Sequence, residues 1–271
     1  MFSTFKNDAQ NFIINCQNGG GKKAFNHTFS EPFFDIEIYD ELSSTNDYLK
    51  ENLKGKERAV LALSQTAGRG RYQRKFFSPK NAGLYLSVLI KRDLPIDIAF
   101  KITAYTGVVV LKAVQKFCNQ TPSIKWVNDI LLNGKKVAGI LTETNINSKK
   151  KCVDSVIIGI GVNLYGNSFD ESIKNIATSI ERETGDKINY LDFTLEILKG
   201  LYDIDKQILK GDYINDYRKY SCVIGKEVLV SQGEQNFLAK VLDILPSGEL
   251  KVNKAGEEII LSAGEISIKL K

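Results

Sequence analysis

The sequence predicts an α+β protein: a mixed-sheet domain over residues 33–222, followed by a small C-terminal β-barrel of the SH3-like kind over 223–271. Three observations carry this. The 271-residue chain suits one large domain with an appendage better than two equal domains. Between Pro32 and Cys222, apolar residues switch between a period of two and a helical spacing of three and four. From Val223 the helical spacing stops, and short strands divided by turn residues take over.

The first 32 residues, rich in Asn, Gly, Lys and Phe, read as an extension. Their Gly19-Gly20-Gly21 run is a linker rather than a phosphate loop, which would need glycine at 16 and Ser or Thr at 23, where Cys16 and Lys23 stand. Phe34, Ile36 and Ile38 then alternate as a strand. Ser43-Ser44-Thr45-Asn46 supplies the cap of a short helix through Leu49 and Leu53. Strands at 58–65 and 83–91 flank a polar loop at 66–82. A long helix over 97–118 follows from Ile98, Ile102, Tyr105, Val109 and Val114. Next come strands at 124–127, 130–132 and 137–142, with Asn133-Gly134 marking a hairpin, and a strand at 152–161. Residues 172–182, 192–210 and 212–220 read as helices. In the barrel, strands at 228–230, 237–244, 249–252 and 258–261 are separated by Gln232-Gly233, Pro246-Ser247-Gly248 and Ala255-Gly256.

Composition narrows the function. Hydrophobic residues at 43% and charged residues at 25% are those of an ordinary globular chain. A net charge of +5 is too small to announce a nucleic-acid binder, but Thr66 to Arg92 holds seven basic residues and no acidic one. Four cysteines without a Cys-x-x-Cys pair, and a single histidine, His27, exclude zinc sites of the usual spacing and Ser-His-Asp or Cys-His catalysis. The cysteines read as reduced, buried thiols of a cytoplasmic protein. No apolar run is expected to reach the length of a membrane span, and no signal peptide is evident.

Three stretches suit chemistry. In Gln65-Thr-Ala-Gly68-Arg69-Gly70-Arg71-Tyr-Gln-Arg74-Lys75-Phe76, glycines let the backbone approach a ligand, while guanidinium forks match carboxylate and phosphate. It is no dinucleotide fingerprint, because the third glycine would fall at Gln73. Lys125, between Ile124 and Trp126, is either a snorkelling edge lysine or an ammonium set against developing negative charge. Gly139, Gly159 and Gly161 inside strands mark either bulges or close approach by a ligand, and Asn163 closes the last of these strands.

Taken in order, Ser44-Thr45-Asn46, Gln65-Thr-Ala-Gly-Arg-Gly-Arg, Lys125-Trp-Val-Asn-Asp, Lys136-Val-Ala-Gly-Ile-Leu and Gly159-Ile-Gly-Val-Asn resemble the biotin protein ligases, from about residue 35 to Gly264-Glu265-Ile266-Ser267. The resemblance implies a catalytic domain of the biotin/lipoate ligase type, in a form without an N-terminal DNA-binding domain. It also implies ATP-dependent conversion of biotin to biotinoyl-5′-adenylate with Mg²⁺, then transfer to one lysine of a biotin carboxyl carrier protein of acetyl-CoA carboxylase or a related carboxylase. It implies biotin contacts at Ser44, Thr45, Asn46, Gln65, Arg69, Gly70, Arg71, Lys125 and Gly139, with ATP contacts at Arg74, Phe76 and Asn163. Lys125, Arg69 and Arg71 would be catalytic; the metal ligands stay unassigned. A homodimer is compatible with this and sequence-specific DNA binding is not expected. Gln73, Phe76 and Val127 depart from the family's usual Gly, Trp and Pro. A lipoate or octanoate ligase, a biotin-sensing repressor and a non-catalytic binding module are the competing readings.

Overall fold

The computed structural model describes residue 11 and residues 24–27, 34–166, 169–232, 234–262 and 265–268. The glycine run at 19–21, Gly233 and Cys16 lie outside them. Eight strands build the larger sheet: β1 (Ala24–His27), β2 (Asp35–Leu42), β3 (Arg58–Gln65), β4 (Gly83–Ile90), β5 (Ser123–Lys125), β6 (Asp129–Leu132), β7 (Lys135–Asn147) and β8 (Cys152–Asn163). Their spatial order is β1-β2-β3-β4-β8-β7-β6-β5. Among the described strands only β2 and β3 pair in parallel, and the short helix Thr45–Glu51 supplies the crossover that such a pair requires. After β4 the chain leaves the sheet through the helix Ile98–Phe117 and re-enters at the far edge as β5. It then works back by hairpins until β8 closes against β4. Asn133 and Gly134 both take positive φ, 50° and 78°, as a two-residue hairpin turn demands.

Helix 98–117 passes the length and apolarity test for a membrane span, contrary to the sequence reading. Its apolar character is met by packing instead. It lies against β5–β7 and the helices Tyr190–Leu201, Ile204–Lys210 and Tyr213–Lys219, with Ile102, Val110, Leu111 and Val114 fully buried. The opposite face of the sheet carries helix 45–51 on β3, β4 and β8. That helix is short and leaves the rest of this face for the site.

The smaller sheet is antiparallel: β9 (Glu227–Gln232), β10 (Gln235–Ile244), β11 (Leu250–Lys254), β12 (Glu257–Leu261) and β13 (Glu265–Ile268), ordered β12-β11-β10-β9-β13. It forms the small SH3-like part around Val228, Val230, Val241, Val252 and Leu261. Trp126 Nε1 donates to Gly248 O at 3.0 Å, and Arg218 donates to Asp243 Oδ1 and Ile244 O, so the segment that carries Lys125 and helix 213–219 are both tied to this part.

Four expectations are corrected. Residues 24–27, read as extension, form a strand on the edge of the large sheet. Residues 172–182 are not one helix: Ala177 and Thr178 run beside Lys136, whose carbonyl accepts from Thr178 N, and only Ile180–Thr184 is helical after the Ser179 cap. The helix expected over 192–210 is two, divided at Tyr202-Asp203. Cys152 and Cys222 are only partly buried, unlike Cys118.

Candidate active site

On the face beneath helix 45–51, β4 presents Tyr85 and Ser87. Opposite them in register stand Gly161 and Gly159 of β8, and opposite those Gly139 and Leu141 of β7. The glycines leave a floor without side chains, and the protein's own groups occupy part of that space. Asn46 Oδ1 lies where a Cβ at Gly159 would project, and the Phe76 ring lies over Gly161 and beside Gly139. Above this floor is a cavity of about 310 Å³, within the range of small-molecule sites.

All twelve expected site residues line this cavity: Ser44, Thr45, Asn46, Gln65, Arg69, Gly70, Arg71, Arg74, Phe76, Lys125, Gly139 and Asn163. Their individual settings differ from a simple row of ligand contacts. Ser44 Oγ caps helix 45–51 by accepting from Asp47 N. Gln65 Oε1 accepts from Thr45 N at 2.9 Å, and Gln65 Nε2 donates to Ser78 Oγ at 3.0 Å. Asn163 Nδ2 donates to Thr178 O, holding the 176–178 segment to the end of β8. Arg71 lies over the Tyr72 ring at 5.0 Å. Arg69, expected to face substrate, has its fork bound to Asp47 and reaches Glu143 Oε2 at 3.2 Å. Lys125 makes no salt bridge among the described residues; its ammonium stands near enough to the Cys222 thiol to oppose the rise that burial gives that group.

The loop after β3 is a built hairpin. Gln65 N donates to Ser78 O, Phe76 N to Gly68 O and Gly70 N to Arg74 O. A Cβ at Gly68 would come within 2.6 Å of Ser78 Oγ and 2.7 Å of Phe76 O, so only glycine lets the two limbs close. Thr66 and Ala67 N–H groups donate to Leu42 O and Ser43 O, fastening the loop beside helix 45–51.

Sequence reasoning passed over four members of the site. Ser87, fully buried, lies 2.7 Å from Thr45 Oγ1 and 2.6 Å from Asn46 Oδ1. Glu143 accepts from Asn46 Nδ2 at 2.8 Å. Burial raises the Glu143 pKa, but the Asn46 hydrogen bond and the Arg69 and Lys50 charges outweigh it and hold the carboxyl below its ordinary value. Asp47 pairs with Arg69, and Lys136 pairs with Asp129 at 2.6 Å on the cavity wall. A lone serine in the apolar run Gly83–Ile90 was a usable signal for Ser87. Among the described residues, no group of three or more His, Cys, Asp or Glu could hold a metal ion, so these side chains form no magnesium cage.

The mixed sheet with a cationic, glycine-floored cavity under its N-terminal crossover, joined to an SH3-like part, is the fold of the biotin protein ligases. The biotin protein ligase from Aquifex aeolicus in complex with biotin and ATP superimposes with a TM-score of 0.75 at 26% identity, covering 87% of this chain and 99% of that one. The Leishmania major enzyme in complex with biotinyl-5-AMP gives 0.60 at 26% identity, over 86% and 100%. Residues 39–163 match the profile of the Biotin/lipoate A/B protein ligase family. Among curated relatives, the bifunctional ligase/repressor BirA of Bacillus subtilis is 38% identical over 156 residues, which are 56% of this chain and 47% of that protein. The chain thus spans about half the length of that relative. The biotin--[acetyl-CoA-carboxylase] ligase of Mycobacterium tuberculosis is 28% identical over 245 residues, 85% of this chain and 88% of that protein.

Proposed function

We propose that this protein is an ATP-dependent biotin protein ligase: it joins biotin to AMP as biotinoyl-5′-adenylate and then passes biotin to a lysine of a biotin carboxyl carrier protein of acetyl-CoA carboxylase or a related carboxylase. The observation that carries the proposal is Lys125, unpaired by any acidic side chain among the described residues, on the wall of a cavity whose floor is glycine. In the first step a carboxylate oxygen of biotin attacks the α-phosphorus of ATP, and the bond from that phosphorus to the pyrophosphate oxygen breaks. Two anions must approach, so positive charge is needed at the meeting point. Lys125 and Arg71 serve there, stabilising charge that grows on the α-phosphate oxygens. The described side chains offer no carboxylate cage for magnesium, so the ion would be held by the triphosphate itself and would supply neutralising charge to the pyrophosphate.

Ser44, Thr45, Asn46, Gln65, Gly70 and Gly139 form the biotin side of the cavity in this reading, and Arg74, Phe76 and Asn163 the nucleotide side. Arg69 acts through the carboxylates of Asp47 and Glu143, to which it is bound. In the second step the neutral lysine amine of the carrier attacks the acyl carbon, its proton leaves to solvent, and AMP departs. The ordered hairpin 65–78 keeps water from the anhydride until then. The reading places the protein in the cytoplasm, in keeping with free thiols at Cys118, Cys152 and Cys222. It includes no sequence-specific DNA contact, and it is compatible with a homodimer.

Pyrophosphate exchange into ATP, measured with biotin and separately with lipoate, tests the first step and the substrate class together. Exchange with biotin alone is expected. Exchange with lipoate alone, or with neither, overturns the proposal.

A further inference from the structure

Neither Ser87 nor Glu143 lines the cavity, yet both are bonded to residues that do. The contacts run Gln65, Thr45, Ser87, Asn46, Glu143, and the protons along them can be placed by elimination. Ser87 Oγ is 2.6 Å from the Asn46 carbonyl oxygen, which cannot donate, so the Ser87 proton must fill that contact. The Thr45 proton has two acceptors in reach, Gln65 Oε1 at 3.2 Å and Ser87 Oγ at 2.7 Å, and with the Ser87 proton committed to Asn46 the shorter contact takes it. This solution holds only while Asn46 keeps its Nδ2 toward Glu143. Rotating that amide by half a turn would set a carbonyl oxygen against a carboxylate, unless Glu143 were protonated. In the reversed chain Asn46 would donate to Ser87, Ser87 to Thr45, and the Thr45 proton would turn to Gln65 or to the cavity.

We propose that Glu143, with Arg69 and Lys50 as its counter-ions, is a positioning residue that fixes the direction of this proton chain, so that Thr45 Oγ1 and Gln65 Oε1 meet a ligand as acceptors only. Lys50 Nζ is 3.4 Å and Arg69 Nη2 3.2 Å from the Glu143 carboxylate. A side-chain-free Gly159 gives Asn46 Oδ1 the space the arrangement needs. Thr45 Oγ1, having given its proton to Ser87, offers the cavity lone pairs alone, and Gln65 is held in the matching sense because its Nε2 donates to Ser78. Such a wall selects a ligand edge bearing N–H donors, which a cyclic urea has and a dithiolane lacks. This assignment rests on the biotin reading above and adds to it the residues that enforce the selection from behind the wall.

The test compares biotin with biotin methylated on a ureido nitrogen, in the wild-type chain and in Glu143→Gln, Glu143→Leu and Ser87→Ala. Biotin-dependent pyrophosphate exchange is the readout, with circular dichroism to check folding. Glu143→Gln keeps the volume and an acceptor for Asn46 but removes the charge that forbids the reversed chain. It is expected to raise the biotin KM about tenfold, the weight of one hydrogen bond, with kcat and the ATP KM unchanged. The preference for biotin over its N-methyl analogue is expected to shrink in all three variants, and combining Ser87→Ala with Glu143→Leu is expected to add little to either alone. A folded Glu143→Gln protein with wild-type biotin KM and an unchanged preference for the unmethylated ligand overturns the assignment, as does a loss confined to kcat. Absence of biotin-dependent exchange in the wild-type chain would instead overturn the functional reading, and this assignment with it.

Discussion

Lys125 is the residue on which the proposed chemistry rests most directly. Replacing it with alanine is expected to lower biotin-dependent pyrophosphate exchange by about 10²–10³-fold, the usual cost of one preorganised charge, with the circular dichroism spectrum unchanged. Near-normal exchange would make it a snorkelling edge lysine. Gly161 yields a packing prediction. A Cβ there would collide with the Phe76 ring, so Gly161→Ala is expected to expel that ring and cost about 1–3 kcal/mol in a denaturant melt. Glu143 yields one on acid stability. Its folded pKa lies below the ordinary 4.5, so the stability it contributes is complete above that value and is lost as pH falls through the depressed pKa. Glu143→Gln should therefore flatten the acid limb of a melting-temperature profile and leave the neutral region with a constant offset. At this scale the cavity wall was legible, because its residues sit in compact motifs. Ser87 and Glu143 were not assigned, because their bonds to Asn46 span 41 and 97 positions: the lone serine in an apolar strand marked Ser87 as unusual without naming its partner, and Glu143 carried no such mark.

At the scale of elements, the helix 45–51 and the hairpin 65–78 act as one unit, joined by the Leu42, Ser43 and Thr45 backbone bonds and by the Asp47–Arg69 pair. Gly68→Ala is expected to open this hairpin and weaken biotin binding in calorimetry, with a smaller effect on melting temperature, because the strands beneath do not depend on it. Strands β2, β3 and β4 were readable from alternation or from dense apolar runs, and the long helix from its spacing. The 172–182 segment misled because Ile173, Ile176 and Ile180 carry helical spacing, while the backbone at Ala177 and Thr178 is claimed by Lys136. A bond to a distant strand overrode the local period there. The strand at 24–27 was hidden for a related reason: four residues are too few for a pattern, and their place comes from pairing with β2.

For the molecule as a whole, the question is what the SH3-like part does for the larger sheet. Ile266 of β13 reaches the cavity, and the turn at Gly248 accepts from Trp126, next in sequence to Lys125. Truncation after Cys222 is therefore expected to leave a folded domain that exchanges pyrophosphate weakly and transfers biotin to a carrier protein more weakly still; full activity in both assays would separate the two parts functionally. The change of period at Val223 was visible in the sequence, whereas the Trp126–Gly248 bond across 122 positions was beyond any local pattern. That bond has an optical consequence. Trp126 is the only tryptophan in the sequence, and it is 3% exposed, so the intrinsic fluorescence of the protein excited at the indole band comes from one ring shared between both parts and next in sequence to Lys125. Undocking of the small part would wet that ring and red-shift its emission without global unfolding, so a single cuvette can separate detachment of the barrel from loss of the catalytic sheet.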